Sequence, residues 1–126
     1  LEGGFTMAEI QLGVVESRFA DMIWKNEPVS SSMLVKLAGE ELQWKRTTVH
    51  TVLRRLCDKG LFQNDNGMVT SLVSREQFYS MQSEQFVDTA FHGSFPAFLA
   101  AFTKNRTLSD RERELIRQLI DQAEEE

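Results

Sequence analysis

Apolar side chains recur at helical spacing in the first third of the chain. Positions spaced i, i+4, i+7 and i+8 predict a first helix that ends near Asn26, with one apolar face formed by Val15, Phe19, Met22 and Ile23. The serine run at 30–32 offers oxygens that can cap a second helix, which we expect to reach about Glu40. Its buried stripe is predicted to contain Met33, Leu34, Leu37 and Ala38.

A third helix and a hairpin follow. A helix from roughly Arg46 to Lys59 is predicted by Gly60, which suits a C-terminal cap, and by the apolar spacing of Val49, Val52, Leu53 and Leu56. Two short apolar segments, 61–63 and 68–72, flank a turn at 64–67 whose Asn-Gly pair can take the positive φ angles of a tight hairpin. The predicted fold is therefore mainly α with a small β-hairpin wing, a winged helix-turn-helix.

Aromatic residues are concentrated after Val73. Six of the nine Phe lie between positions 78 and 102, more aromatic surface than two or three unsupported helices could bury. A last helix is predicted from Ser109, which can form a capping box with Glu112, and its stripe contains Leu115, Ile116, Leu119 and Ile120. We expect this region to dimerise through Phe78, Phe86, Phe91, Phe95, Phe98, Leu99, Phe102, Leu115 and Leu119. A pocket for an apolar ligand is the alternative.

These elements predict a flexible N-terminal arm at 1–9, a winged-helix DNA-binding domain at 10–74 and a helical dimerisation region at 75–126. The net charge is −5, from 14 Lys and Arg against 19 Asp and Glu, which argues against nucleic-acid binding if the charge is evenly spread. The spread is uneven, because positions 45–59 hold five basic residues and one acid. The exposed face of the third helix is predicted to bind DNA in the major groove through Lys45, Arg46, Thr47, Thr48, His50, Thr51, Arg54 and Arg55.

Composition and motifs limit the other possibilities. Apolar residues make up 41% and charged residues 26%, which is typical of a globular chain. A single cysteine, Cys57, and the lack of an apolar run near 20 residues predict a reduced, cytoplasmic protein without membrane contact. The sequence has no motif of a catalytic or metal site, so we expect neither an enzyme nor a cofactor or metal. Trp24 and Trp44 are expected in the core, with base stacking as the alternative.

The third-helix segment resembles that of a known family of bacterial regulators. Residues 44–61 follow the pattern W-x-x-x-T-V-x-T-x-L-x-R-L-x-x-K-G of the penicillinase repressors, the BlaI/MecI/CopY family. Looser similarity includes Glu16 and Ile23-Trp24 upstream and residues 92–95 and 108–109 downstream, so that about residues 12–122 are covered. The resemblance implies a homodimeric repressor whose winged helix reads a palindromic operator on double-stranded DNA and whose C-terminal helices hold the dimer.

The resemblance also implies individual roles. By position, Thr48, Thr51 and Arg54 are recognition contacts, while Thr47 and His50 would alter operator preference. Arg55 contacts either a phosphate or another part of the protein.

This sequence departs from the family in three places. Lys45-Arg46 replaces the common Ser/Thr-Pro start of the helix, and the short wing has no Lys or Arg. The Asn-Phe bond that a regulatory protease cuts in similar members corresponds here to Ala101-Phe102, which leaves such a protease partner open. Separately, the copper-responsive branch of the family carries a C-terminal cysteine cluster, and this chain has no cysteine after Cys57, so the resemblance does not imply a copper sensor of that type.

Two other functions stay open at this stage. A winged-helix module that binds an acidic protein and no DNA is favoured by the uncharged wing. A small-ligand sensor is favoured by the Phe-rich C-terminal half.

Overall fold

A computed structural model describes residues 13–123. The arm expected at 1–9 and the tail at 124–126 lie outside these residues. The elements in chain order are α1 (Val14–Asn26), β1 (Val29–Ser30), α2 (Ser31–Glu41), α3 (Arg46–Asp58), β2 (Phe62–Asp65), β3 (Met68–Ser71), α4 (Arg75–Phe91), α5 (Phe95–Thr103) and α6 (Asp110–Gln122). The described part is mainly helical with a small sheet, which confirms the predicted fold class. Within it, no helix is long and apolar enough to cross a membrane.

Capping side chains define several of the helix ends. The hydroxyl of Ser30 accepts a hydrogen bond from the backbone N–H of Met33 at 3.0 Å, which starts α2 as predicted. Ser109 and Glu112 form the predicted capping box at the start of α6. Past the end of α3, Gly60 has φ +84°, a left-handed conformation that glycine adopts without steric cost.

A three-stranded antiparallel sheet with the order β1-β3-β2 contains the wing, which we define as β2, β3 and their turn. Pairing continues to Asp65 opposite Met68, so the turn has two residues and not the four predicted. Asn66 and Gly67 have φ of +52° and +90°, the pair of positive angles that a tight two-residue hairpin needs. The strand β1 was not predicted, because it pairs only with β3 and its two residues are too few to show an alternation of apolar and polar positions.

One core joins the first three helices, the sheet and the start of α4. Its buried residues come from each of these elements: Phe19, Ala20, Met22, Ile23, Val29, Leu34, Ala38, Val49, Val52, Leu53, Leu56, Leu61, Phe62, Val69 and Phe78. Trp24 packs against Phe62 and Phe78 at ring distances of 5.0 and 5.6 Å and donates its indole N–H to the carbonyl of Val73. Trp24 is therefore a core residue, as predicted.

Several predicted positions differ in the structure. Phe78, which we expected at a dimer interface, is fully buried in this core, because Trp24 and Tyr79 enclose its ring. Val15 and Met33, which we expected to be buried, are exposed, since each lies in the first turn of its helix. The chain divides into a first compact unit that ends at Phe86 and a second unit from Val87.

The second unit contains the end of α4, all of α5 and all of α6. None of its described residues, 87–123, is buried. The rings of Phe91, Phe95 and Phe102 each lie within 5.6 to 6.1 Å of the ring of Phe98. These helices therefore have an aromatic cluster but no enclosed core.

Candidate DNA-binding surface

Helix α3 has one apolar and one polar face. Val49, Val52, Leu53 and Leu56 are buried in the core of the first unit. The opposite face is exposed and consists of Thr47, Thr48, His50, Thr51, Arg54, Arg55 and Asp58. Thr47, Thr51 and Arg54 are spaced i, i+4 and i+7, so they form a single row along the helix. The structure thus brings the predicted helix-face residues onto one exposed surface.

The first turn of α3 is electropositive. Lys45 occupies the N-cap position without a side-chain hydrogen bond, and both Lys45 and Arg46 are exposed. Among the residues that the structure describes, no ion pair engages Lys45, Arg46 or Arg54. The backbone N–H groups at a helix start carry a partial positive charge that favours phosphate. This turn can therefore attract a DNA backbone more strongly than the net charge of the chain suggests.

Arg55, unlike Arg54, forms an ion pair within the protein. Its Nη1 donates to Oε2 of Glu16 on α1 at 2.8 Å. The other carboxylate oxygen of Glu16 accepts the backbone N–H of Gly13 at 3.3 Å. Partial burial acts to raise the pKa of Glu16, but the hydrogen bonds from Arg55 and Gly13 and the charge of Lys59 outweigh it, and the pKa is lowered. Of the two alternatives for Arg55, the structure contains the contact within the protein.

The wing presents no cation. Positions 62–71 contain a single charged residue, Asp65, and the tip is held by two hydrogen bonds. The backbone N–H of Gly67 donates to the side chain of Asn64, and the carbonyl of Gly67 accepts the N–H of Ser31 at the start of α2. At its base, Ser71 donates both its N–H and its hydroxyl to the carboxylate of Glu27. The wing is a fixed part of the first unit and offers amides in place of ammonium or guanidinium groups.

The rest of the chain shows no catalytic arrangement among its described residues. Cys57 is half-buried, and burial together with the charge of Asp58 raises the pKa of its thiol, so the unreactive thiol form is favoured. No group of three or more His, Cys, Asp or Glu residues within 13–123 could hold a metal ion. Trp44 packs on Phe19 at a ring distance of 5.1 Å, which leaves it partly buried beside α3.

The second unit contains an apolar groove of about 520 Å³ between α5 and α6. Its lining is entirely apolar: Phe95, Phe98, Leu99, Phe102, Ile116, Leu119, Ile120 and Ala123. Five of the residues that we expected at a dimer interface are among these. Phe86, Phe91 and Leu115 lie outside the groove lining; Phe86 and Leu115 are exposed and Phe91 is half-buried.

Comparison with known proteins supports a regulatory role. The model of the family described as "Penicillinase repressor" matches residues 12–122. The chain belongs to the penicillinase repressor family. Members of this family are transcriptional regulators and not enzymes, which confirms that expectation for this chain.

Two curated relatives are similar over nearly their whole length. The penicillinase repressor of Bacillus licheniformis is 23% identical over 116 residues, which cover 89% of this chain and 91% of the relative. The methicillin resistance regulatory protein MecI of Mammaliicoccus sciuri is 23% identical over 114 residues, which cover 87% and 93%. The matched segment of this penicillinase repressor family member includes the whole of α3 and residues 87–122 of the second unit.

Proposed function

We propose that the protein represses transcription as a homodimer bound to a palindromic operator, with α3 of each protomer in the major groove. The exposed polar row of α3 is the observation that carries this proposal. Arg54 can donate two hydrogen bonds to a guanine, while the threonine side chains offer hydroxyl and methyl contacts to base edges. Lys45 precedes the first turn of α3 and Arg46 begins it, and at this turn a phosphate is favoured by charge and by free N–H groups.

The second unit supports the homodimer. A unit without a buried residue among its described positions lacks the apolar burial that normally stabilises a fold. A second copy of the same unit would cover the apolar groove and supply that burial. A dimer would place two α3 helices on one face of the DNA, where half-sites lie about one helical turn apart.

The second candidate function is a module that binds an acidic protein through α3 and does not bind DNA. The absence of Lys and Arg from the wing favours it. The two functions differ in their response to duplex DNA. Selection from a random duplex pool with the purified chain should recover a palindromic consensus if the chain is a repressor. A folded dimer that enriches no sequence would support the protein-binding module.

Arg54 provides the sharper test. Arg54→Ala should weaken binding to the selected operator by about 1 to 3 kcal/mol for each contacted base pair, and relax the sequence preference at that position. Arg18→Ala is the matched control, because Arg18 is an exposed arginine on α1 and the change removes the same charge. Equal losses in the two variants would mean that α3 reads no base through Arg54.

Cleavage between Ala101 and Phe102 stays a prediction that belongs to this function. The bond lies in the last turn of α5, where the carbonyl of Ala101 accepts the N–H of Lys104 and the guanidinium of Arg106 lies 4.7 Å from the ring of Phe102. A cut there would separate α6 from most of α5 and divide the groove lining. Mass spectrometry of the protein isolated from induced cells would detect fragments that end at Ala101.

A further inference from the structure

Two contacts hold the recognition helix α3 against α1. At its N-terminal end, the ring of Trp44, two residues before the helix, packs on Phe19 at 5.1 Å. Near its C-terminal end, Arg55 forms the 2.8 Å ion pair with Glu16. Glu16 and Phe19 are three residues apart on α1, whereas Trp44 and Arg55 are eleven apart on the other segment. The contacts therefore engage both ends of α3 from one short stretch of α1.

The ion pair is well placed to control the rotation of α3 about its own axis. Adjacent residues on a helix differ by about 100°, so fixing Arg55 on α1 directs Arg54 to the exposed side. A rotation of about 20° moves a side chain that lies about 6 Å from the axis by about 2 Å, which exceeds the tolerance of a hydrogen bond. The buried residues of α3 hold the helix on the core by close packing, and the ion pair adds a directional contact beside the exposed face.

We propose that Glu16 and Arg55 are positioning residues that set the rotation of α3 for base recognition, and that Arg55 makes no contact with DNA phosphate. This inference rests on the proposed function. Glu16 is about one-fifth exposed and is bound on both carboxylate oxygens, by Arg55 and by the N–H of Gly13. Because the carboxylate is held at both oxygens, it offers the guanidinium a fixed anchor and not a mobile surface charge.

Glu16→Gln distinguishes a positioning role of Arg55 from a phosphate contact by the sign of its effect on operator affinity. The change keeps the side-chain volume and an acceptor for Gly13 but removes the negative charge that holds Arg55. If Glu16 positions α3, operator affinity should fall by about fivefold, the upper end of what an exposed ion pair supplies. If Arg55 contacts phosphate, removing the competing carboxylate should raise operator affinity, and this result would overturn the inference.

A double-mutant cycle adds a second readout. Under the proposal, Arg55→Ala lowers operator affinity by about the same fivefold in the wild-type background. In the Glu16→Gln background it lowers operator affinity by almost nothing, because the two residues act as a pair. The slope of log affinity against log salt should not change with Arg55→Ala, whereas loss of a phosphate contact lowers its magnitude by about 1. Independent losses, or a reduced slope, would assign Arg55 to the DNA interface.

A control separates positioning from the general effect of breaking an ion pair on α1. Asp21 on α1 pairs with Arg75 on α4 at 2.9 Å and does not engage α3. Asp21→Asn should leave the operator affinity at the wild-type value, and an equal loss in this variant would refute a specific role for Glu16. Failure of the wild-type protein to bind any selected duplex would instead refute the proposed function.

Discussion

Leu119 offers a direct test of the proposed dimer. It lines the apolar groove and is 67% exposed in the single chain. Leu119→Ala removes three carbons, worth about 2.4 kcal/mol if fully buried, so burial of the exposed two-thirds in a partner contributes about 1.6 kcal/mol per protomer. A symmetric dimer contains the site twice, and the loss of about 3 kcal/mol raises the dimer Kd on the order of a hundredfold.

Sedimentation equilibrium over a dilution series measures this constant for the wild type and the variant. Leu72→Ala is the matched control, because Leu72 is an exposed leucine at 56% that belongs to the first unit. We expect the control to dimerise as the wild type does. An unchanged Kd for Leu119→Ala, or the same shift in both variants, would show that the α5–α6 groove is not the dimer contact.

Three further predictions concern stability. Phe78→Ala should lower the free energy of unfolding by about 3 to 5 kcal/mol in urea titrations at any protein concentration, because the ring is fully buried in the first unit. Gly67→Ala should lower the free energy of unfolding by about 1 to 2 kcal/mol, because Gly67 has a positive φ. Gly39→Ala should raise it by about 0.5 to 1 kcal/mol, because Gly39 lies inside α2. Shifts of the same sign for both variants in thermal melts would contradict this assignment. Because the pKa of Glu16 is lowered in the folded protein, its carboxylate contributes stability that is fully present above the ordinary pKa of 4.5 and is lost as the pH falls through the folded pKa. The free energy of unfolding, followed from about pH 6 to about pH 3, should therefore fall less in Glu16→Gln than in the wild type.

Helix boundaries in the first unit were predicted well because local signals define them. The predicted end at Asn26 is the observed one, and the predicted ends of the second and third helices differ from Glu41 and Asp58 by a single residue. Apolar periodicity, Ser30 and Gly60 act over one or two turns and can be read from the sequence. The exposed face of α3 was predicted for the same reason, because it is the complement of a periodic buried face.

Contacts between distant residues were not predicted. The strand β1 exists because β3 pairs with it, and Glu16 meets Arg55 across 39 positions. Phe78 was assigned to the dimer region with the other phenylalanines, since periodicity shows that a residue is apolar but not which apolar surface it joins. Its burial follows from the packing of Trp24, Phe62 and Tyr79 around it, an arrangement that only the tertiary fold creates.

In the proposed dimer, the contrast between the two units would connect folding to operator binding. The first unit has a closed core of 15 buried residues, so its fold does not require a partner. The described part of the second unit has none, so its order should depend on association. Dimer dissociation would then release the operator and loosen α5 and α6 in one linked equilibrium. In that dimer, a signal that acts on the groove, by proteolysis or by an apolar ligand, would release repression without contacting α3.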